Sequence, residues 1–274
     1  MLELSAATLV ALVALLLATG VVAGLLAGLL GVGGGIVIVP ILFLVFEGLD
    51  FPDATLMQVA VATSLATIIP TSVASARAHH AKGNVDLALL KRWAPFVFAG
   101  ALVGGLLSFV LSGDALRLVF GVIALAVAIN MAVPKQLVLG EHLPRSAVVQ
   151  GGTAAAIGTF SALMGIGGGT LSVPVLSAFS YPTHRAVGTA AAFGFLIAVP
   201  AVIGFVWSGL GEPGRPPYSL GWVNLVAAVV IFPVTTLVAP VGARIAHRLP
   251  AEQLRLVFAI FLGLTALRML WSAL

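Results

Sequence analysis

The sequence predicts an all-α polytopic membrane protein built of two inverted five-segment repeats, each starting with a glycine-broken helical hairpin. Three observations carry this prediction. First, the 274 residues are 61% hydrophobic and only 8% charged, against about 25% charged in a soluble domain. So few charges cannot cover the surface of a soluble chain, so lipid is the main solvent. Second, the uncharged runs between Asp, Glu, Lys and Arg have the lengths of membrane crossings or of folded-back pairs. Third, a set of short motifs occurs twice in the same order.

The runs 54–76, 93–113, 118–134, 186–211 and 216–243 each fit one crossing. A crossing takes about 20 residues at about 1.5 Å each. The C-terminal run fits another, with Arg268 inside it. Two runs are too long. As unbroken helix, 4–46 would span about 65 Å and 146–184 about 58 Å. Each contains one breaking point, Gly31-Val32-Gly33-Gly34-Gly35 or Gly165-Ile166-Gly167-Gly168-Gly169, with Pro40 or Pro174 downstream. Both runs therefore fold back, with short second arms near 36–46 and 170–179. Arms this short put the broken turn at partial depth, which is tolerated where it faces protein or a wet cavity.

The two glycine motifs stand 134 residues apart. Ala60-Val61-Ala62-Thr63 resembles Ala186-Val187-Gly188-Thr189, and Leu116–Phe120 recurs identically as Leu254–Phe258. Collinear matches of this kind indicate duplication. The first repeat covers residues 1–137, with its hairpin at 4–46 and spans at 54–76, 93–113 and 116–134. The second covers 138–274, with its hairpin at 146–180 and spans at 186–210, 218–243 and 254–273. Five segments per repeat invert the second. With both termini outside, ten basic residues face the cytoplasm and only Arg117 and Arg215 lie in external loops. The net charge of +4 therefore reads as topogenic charge, and no nucleic-acid partner is expected. The N-terminus lacks the basic start of a secretory signal, since the first basic residue is Arg77.

Inverted repeats around broken helices are characteristic of secondary transporters. The candidate substrate ligands follow from what can bind an anion without a buried charge. Backbone N–H groups freed at Gly33, Gly34 and Gly35, and at Gly167, Gly168 and Gly169, combine with the positive ends of the helices that restart there. The alternative is that these glycines only permit close helix packing. Hydroxyls come from Thr63, Ser64 and Thr67 in the first half and Thr189 in the second; the alternative for each is a bond to its own helix backbone. Thr63, Ser64 and Thr189 are expected to be the most central. Arg77, His79 and His80 are candidates for an inner gate or a cytoplasmic mouth that attracts anions, the alternative being a basic loop. The adjacent His pair is a poor metal signal, and with no cysteine and no third ligand at suitable spacing no metal site or cofactor is expected. Asn130, Asn224 and Arg268 read as isolated polar groups within spans. The spans hold no Asp or Glu, which disfavours a cation carrier and a membrane-embedded enzyme.

The glycine turns with their prolines, the run Ala60–Thr71, the segment His79-His80-Ala81-Lys82-Gly83-Asn84-Val85-Asp86 and Leu116–Phe120 together resemble the sulfite exporter TauE/SafE family, also called the toluene sulfonate uptake permease family. The resemblance covers essentially the whole chain. It implies a multi-pass carrier in the bacterial inner membrane for sulfur-containing anions such as sulfite or organosulfonates. The expected partners are a small anionic substrate and the lipid bilayer, with homo-oligomerisation left open. The alternatives are an anion channel of the same architecture, or a carrier of another small anion.

Overall fold

The computed structural model describes residues 6–30, 34–49, 51–133, 138–246 and 251–273. Among these residues the chain is helical almost throughout. The first half runs α1 (Ala6–Leu30), α2 (Gly35–Glu47), α3 (Asp53–Ala81), α4 (Leu87–Leu107) and α5 (Gly113–Ala132). The second runs α6 (Ala147–Met164), α7 (Gly168–Ala178), α8 (Thr183–Gly209), a two-stranded ribbon of β1 (Ser219–Leu220) and β2 (Val223–Asn224), α9 (Leu225–Ala246) and α10 (Ala251–Ser272). Six described stretches are long and apolar enough to cross a membrane, drawn from α3, α4, α5, α6, α8 and α9. Shorter apolar stretches lie in α1, α2 and α10.

Both over-long runs divide. Gly31 and Gly33 lie outside the described residues, and helix resumes at Gly35. In the second run α6 ends at Met164 and Gly165 takes a left-handed conformation at φ +67, which suits a residue without a side chain. Helix restarts at Gly168. At 13 and 11 residues, α2 and α7 are about 20 and 17 Å long, short of a hydrocarbon core of about 30 Å.

Counting gaps between charges misplaced several helix ends. The helix expected at 93–113 instead runs Leu87–Leu107, because the Asp86 carboxylate accepts the N–H groups of Ala88 and Leu89 and starts α4 ahead of Lys91 and Arg92. Long basic side chains can reach water from the first two turns of a helix. Arg185 likewise lies inside α8, and Arg77, His79 and His80 form the last turns of α3 rather than a loop. The span expected at 218–243 begins only at Leu225. Before it the chain makes the β1–β2 ribbon, with positive φ at Tyr218 and Gly221.

Helix packing is set by small residues. Between lipid-solvated helices no hydrophobic force drives association, so close contact and hydrogen bonds decide it. α1 packs on α9, and α4 packs on α6. A Cβ on Gly242 would lie 2.2 Å from the Leu25 carbonyl, and one on Gly24 2.9 Å from that of Thr235. In the other pair, a Cβ on Gly100 would lie 2.1 Å from the Ala155 carbonyl and one on Gly158 2.2 Å from that of Val97. These helices touch backbone to backbone. α5 pairs with α10, α4 also lies along α8, and α3 crosses α8 through the centre. The middle of α3, from Leu56 to Leu65, is buried without interruption.

Candidate functional site

The two glycine segments come together against the middle of α3. Ser64 is fully buried, and its Oγ donates a 2.7 Å hydrogen bond to the Gly165 carbonyl while lying 3.5 Å from that of Gly35. The segments also touch each other, since a Cβ on Gly35 would fall 2.6 Å from the Gly165 oxygen. Ile68, one turn further along α3, fills the space beside Gly35 and faces Gly167 and Gly194. Thr67 and Thr71 satisfy their hydroxyls within α3, Thr67 on the Ser64 carbonyl and Thr71 on those of Thr67 and Ile68.

The glycines play unequal parts. Gly33 lies outside the described residues. Gly34 has room for a methyl group, with its nearest neighbours at 3.4 to 3.5 Å, whereas a Cβ on Gly168 would sit 2.3 Å from the Ala190 carbonyl of α8. Gly167 is the N-cap of α7 in extended conformation with no side-chain cap, and Gly168 and Gly169 form the first turn, buried. An uncapped, buried helix start leaves backbone N–H groups and the positive end of the helix for another partner.

Beside this start are three hydroxyls that the sequence reading missed. Ser161, Thr170 and Ser172 are buried, and their oxygens have no hydrogen-bond partner. Burying an unpaired hydroxyl typically costs about 1–3 kcal/mol, so each calls for an explanation. A comparison of the halves carries the signal: at the 134-residue spacing Thr170 and Ser172 stand opposite Ile36 and Ile38.

Thr63 and Thr189 do something different. The Thr63 hydroxyl accepts the backbone N–H of Asn224 at 2.9 Å, and that of Thr189 accepts the N–H of Asp86 at 2.9 Å. Asn224 and Asp86 are themselves 138 residues apart, and each caps a following helix, Asn224 through Ala227 of α9 and Asp86 through Ala88 and Leu89 of α4. Asn224 therefore stands at the head of α9 rather than inside a span. Of the three hydroxyls expected at the centre, only Ser64 touches both glycine segments.

Asp86 is the hub of the connection between α3 and α4. Its carboxylate accepts the Tyr181 hydroxyl and lies 3.9 Å from the Arg185 guanidinium. The Tyr181 bond foremost, then the N–H of Leu89, hold the Asp86 carboxyl below its ordinary range, with smaller help from the Ala88 N–H and the Arg185 charge. Burial, then the bond to Asp86, pushes the Tyr181 phenol above its ordinary range. Nearby, Arg77 and His80 are exposed and His79 is partly buried. The His79 carbonyl accepts the N–H groups of Lys82 and Asn84 as α3 ends. Among the described residues no cluster of three His, Asp or Glu side chains is placed to hold a metal ion.

Elsewhere the ionic groups fasten helix ends. Arg117 of α5 is buried, bonded to Asp53 at 2.5 Å and Asp114 at 3.2 Å, with its guanidinium 4.9 Å from the Phe43 ring centre. Arg268 pairs with Glu47 at 2.6 Å, both partly exposed.

The model of the sulfite exporter TauE/SafE family matches residues 16–269. A probable membrane transporter protein of Haemophilus influenzae is 35% identical over 93% of this chain and 97% of its own length. The probable membrane transporter protein YunE of Bacillus subtilis is 27% identical over 94% of this chain and 97% of its own. No solved structure matches the chain at a significant level. A helical fold with six candidate spans and a match that runs nearly from end to end give one conclusion: the chain belongs to the TauE/SafE family of membrane transporters.

Proposed function

We propose that this protein is a secondary carrier of small sulfur-containing anions, such as sulfite or organosulfonates, in a bacterial inner membrane. In this reading two inverted repeats put both termini on one side, the bias of basic residues makes that side the outside, and the pseudo-symmetry gives equivalent inward-open and outward-open states. The observation that carries the reading is the uncapped, buried start of α7 beside Ser64 and the unpaired hydroxyls of Thr170 and Ser172. Backbone N–H groups and hydroxyls bind oxyanions without a fixed positive charge, so the empty carrier pays no penalty for a buried ion. Two turns of α3 below, Ser72 packs beside Gly194, and the exposed Arg77 and His80 draw anions toward the cytoplasmic end.

Uptake of labelled sulfite into proteoliposomes is the test. The expected result is saturable flux, stimulated by sulfite or an organosulfonate on the other side, with none for potassium. Flux of potassium but of no sulfur anion overturns the proposal. Single-channel currents in place of counter-stimulated flux convert it into the channel reading.

A further inference from the structure

We infer that the bodies that move against each other during transport are two helix-exchanged bundles rather than the two halves of the sequence. One consists of α6, α7, α8 and the α4 helix of the first half. The other consists of α1, α2, α3 and the α9 helix of the second half. α5 and α10 pair with each other beside them.

The exchange is fixed by backbone contact. α4 meets α6 where Cβ atoms on Gly100 and Gly158 would stand 2.1 and 2.2 Å from carbonyl oxygens, and meets α8 where one on Gly105 would stand 2.7 Å from that of Ala201. α9 meets α1 through Gly24 and Gly242 in the same manner, at 2.9 and 2.2 Å. Helices interlocked this closely cannot slide past one another without opening cavities along the whole contact. Each exchanged helix is also docked at its start by its new bundle. Thr189 of α8 accepts the N–H of Asp86 at the head of α4, and Tyr181 and Arg185 hold the Asp86 carboxylate. Thr63 of α3 accepts the N–H of Asn224 at the head of α9.

The halves are therefore sewn together at α1–α9 and at α4–α6. Rocking one half against the other would tear both seams. The bundles themselves meet along α3 and α8, where Ser72 lies against Gly194, and at the turn between α6 and α7, where Ser64 bonds to Gly165 and Gly35 approaches it. A displacement there reshapes the ground around both glycine segments and leaves the seams intact. The α3–α4 and α8–α9 connections cross between the bundles and, short of their docked ends at Asp86 and Asn224, serve as hinges.

The inference rests on the carrier reading only in supposing that the protein samples two states. The chain has no cysteine, so spin labels can be placed in pairs at lipid-facing residues: Val22→Cys with Val229→Cys on α1 and α9, Val103→Cys with Phe160→Cys on α4 and α6, and Val22→Cys with Phe160→Cys across the bundles. All four positions are exposed, so labelling does not disturb packing, and a melting curve for each variant checks this. Distance distributions are read in liposomes with and without sulfite. We expect one narrow distance in each seam pair under both conditions, and two distances in the pair across the bundles. Two distances in either seam pair, or one unchanging distance across the bundles, overturns the inference. Two distances across the bundles whose ratio ignores sulfite uphold it and count against sulfite as the substrate.

Discussion

The two short arms, α2 and α7, start from the same glycine motif and end up with different chemistry. α2 is apolar up to its last residue, Glu47, and Ile36 and Ile38 stand 134 residues before Thr170 and Ser172 of α7. At its start Gly34 has room to spare, whereas Gly168 of α7 lies hard against α8. At its far end α2 is tied by Glu47 to the half-exposed Arg268, while the turn after α7 sends Tyr181 to a half-buried Asp86 with four other partners. Two arms that begin with the same glycine pattern thus differ in what they carry. The first arm packs, and the second presents polar groups.

Breaking that contrast should cost most at Gly168. Gly168→Leu drives a side chain into the Ala190 carbonyl, so transport is lost and stability falls by about 1–3 kcal/mol or more. Gly34→Ala, by contrast, keeps wild-type flux and stability to within about 0.5 kcal/mol. Paired flux and melting assays decide it, and equal damage at both glycines would erase the difference between the arms.

Ser64→Ala comes next. It removes the bond to Gly165, worth about 1 kcal/mol, and transport should slow by roughly fivefold, the rate equivalent of about one such bond. A rate unchanged in proteoliposomes would reduce Ser64 to a packing residue.

The third effect is on pH dependence. Because the folded Asp86 carboxyl lies below its ordinary value, its contribution to stability is complete at neutral pH. It is lost as the pH falls from about 4 through the folded value. Melting temperature between pH 7 and pH 3 should therefore drop more steeply in the wild type than in Asp86→Asn. Tyr181→Phe, which removes the largest cause of the shift, should show a smaller drop that is complete at higher pH. The smallest effect is at the other arm, where Arg268→Ala breaks an exposed pair and should change stability by at most about 1 kcal/mol.

Much of the fold was legible because charge is so scarce. The gaps marked where helices had to run, and the two over-long gaps located the breaks. Helix ends were not legible where a charge belongs to a helix. Asp86 starts α4, Arg185 lies in the first turn of α8, and the stretch through His79 and His80 closes α3. Treating every charge as loop shifted these ends. The exchange of α4 and α9 was not legible for a different reason. Gly24 and Gly158, like Gly104 and Gly242, occupy equivalent positions in the two halves, so each small-residue face fits a partner within its own half as well as one in the other. Nothing local distinguishes the two pairings. At the site, the buried hydroxyls of α3 were visible as a cluster, but not their partners. Thr63 and Thr189 look like twins of Ser64 in sequence and turn out to hold the heads of other helices. Thr170 and Ser172 were not legible because a lone hydroxyl in a helix can bond its own backbone, and only the fold shows that these two do not.

The seam between α1 and α9 also constrains how the protein is made. Gly20 of α1 lies against Thr235 of α9, 215 residues later in the chain. During synthesis α1 enters the bilayer with its glycine face unmatched and must stay so until nearly the last helix is inserted. α4 waits a shorter time, for α6. The first half therefore cannot mature by itself, and α1 is covered only when α9 arrives. Any factor that protects small-residue helix faces in the membrane would act on α1 for longer than on any other described segment.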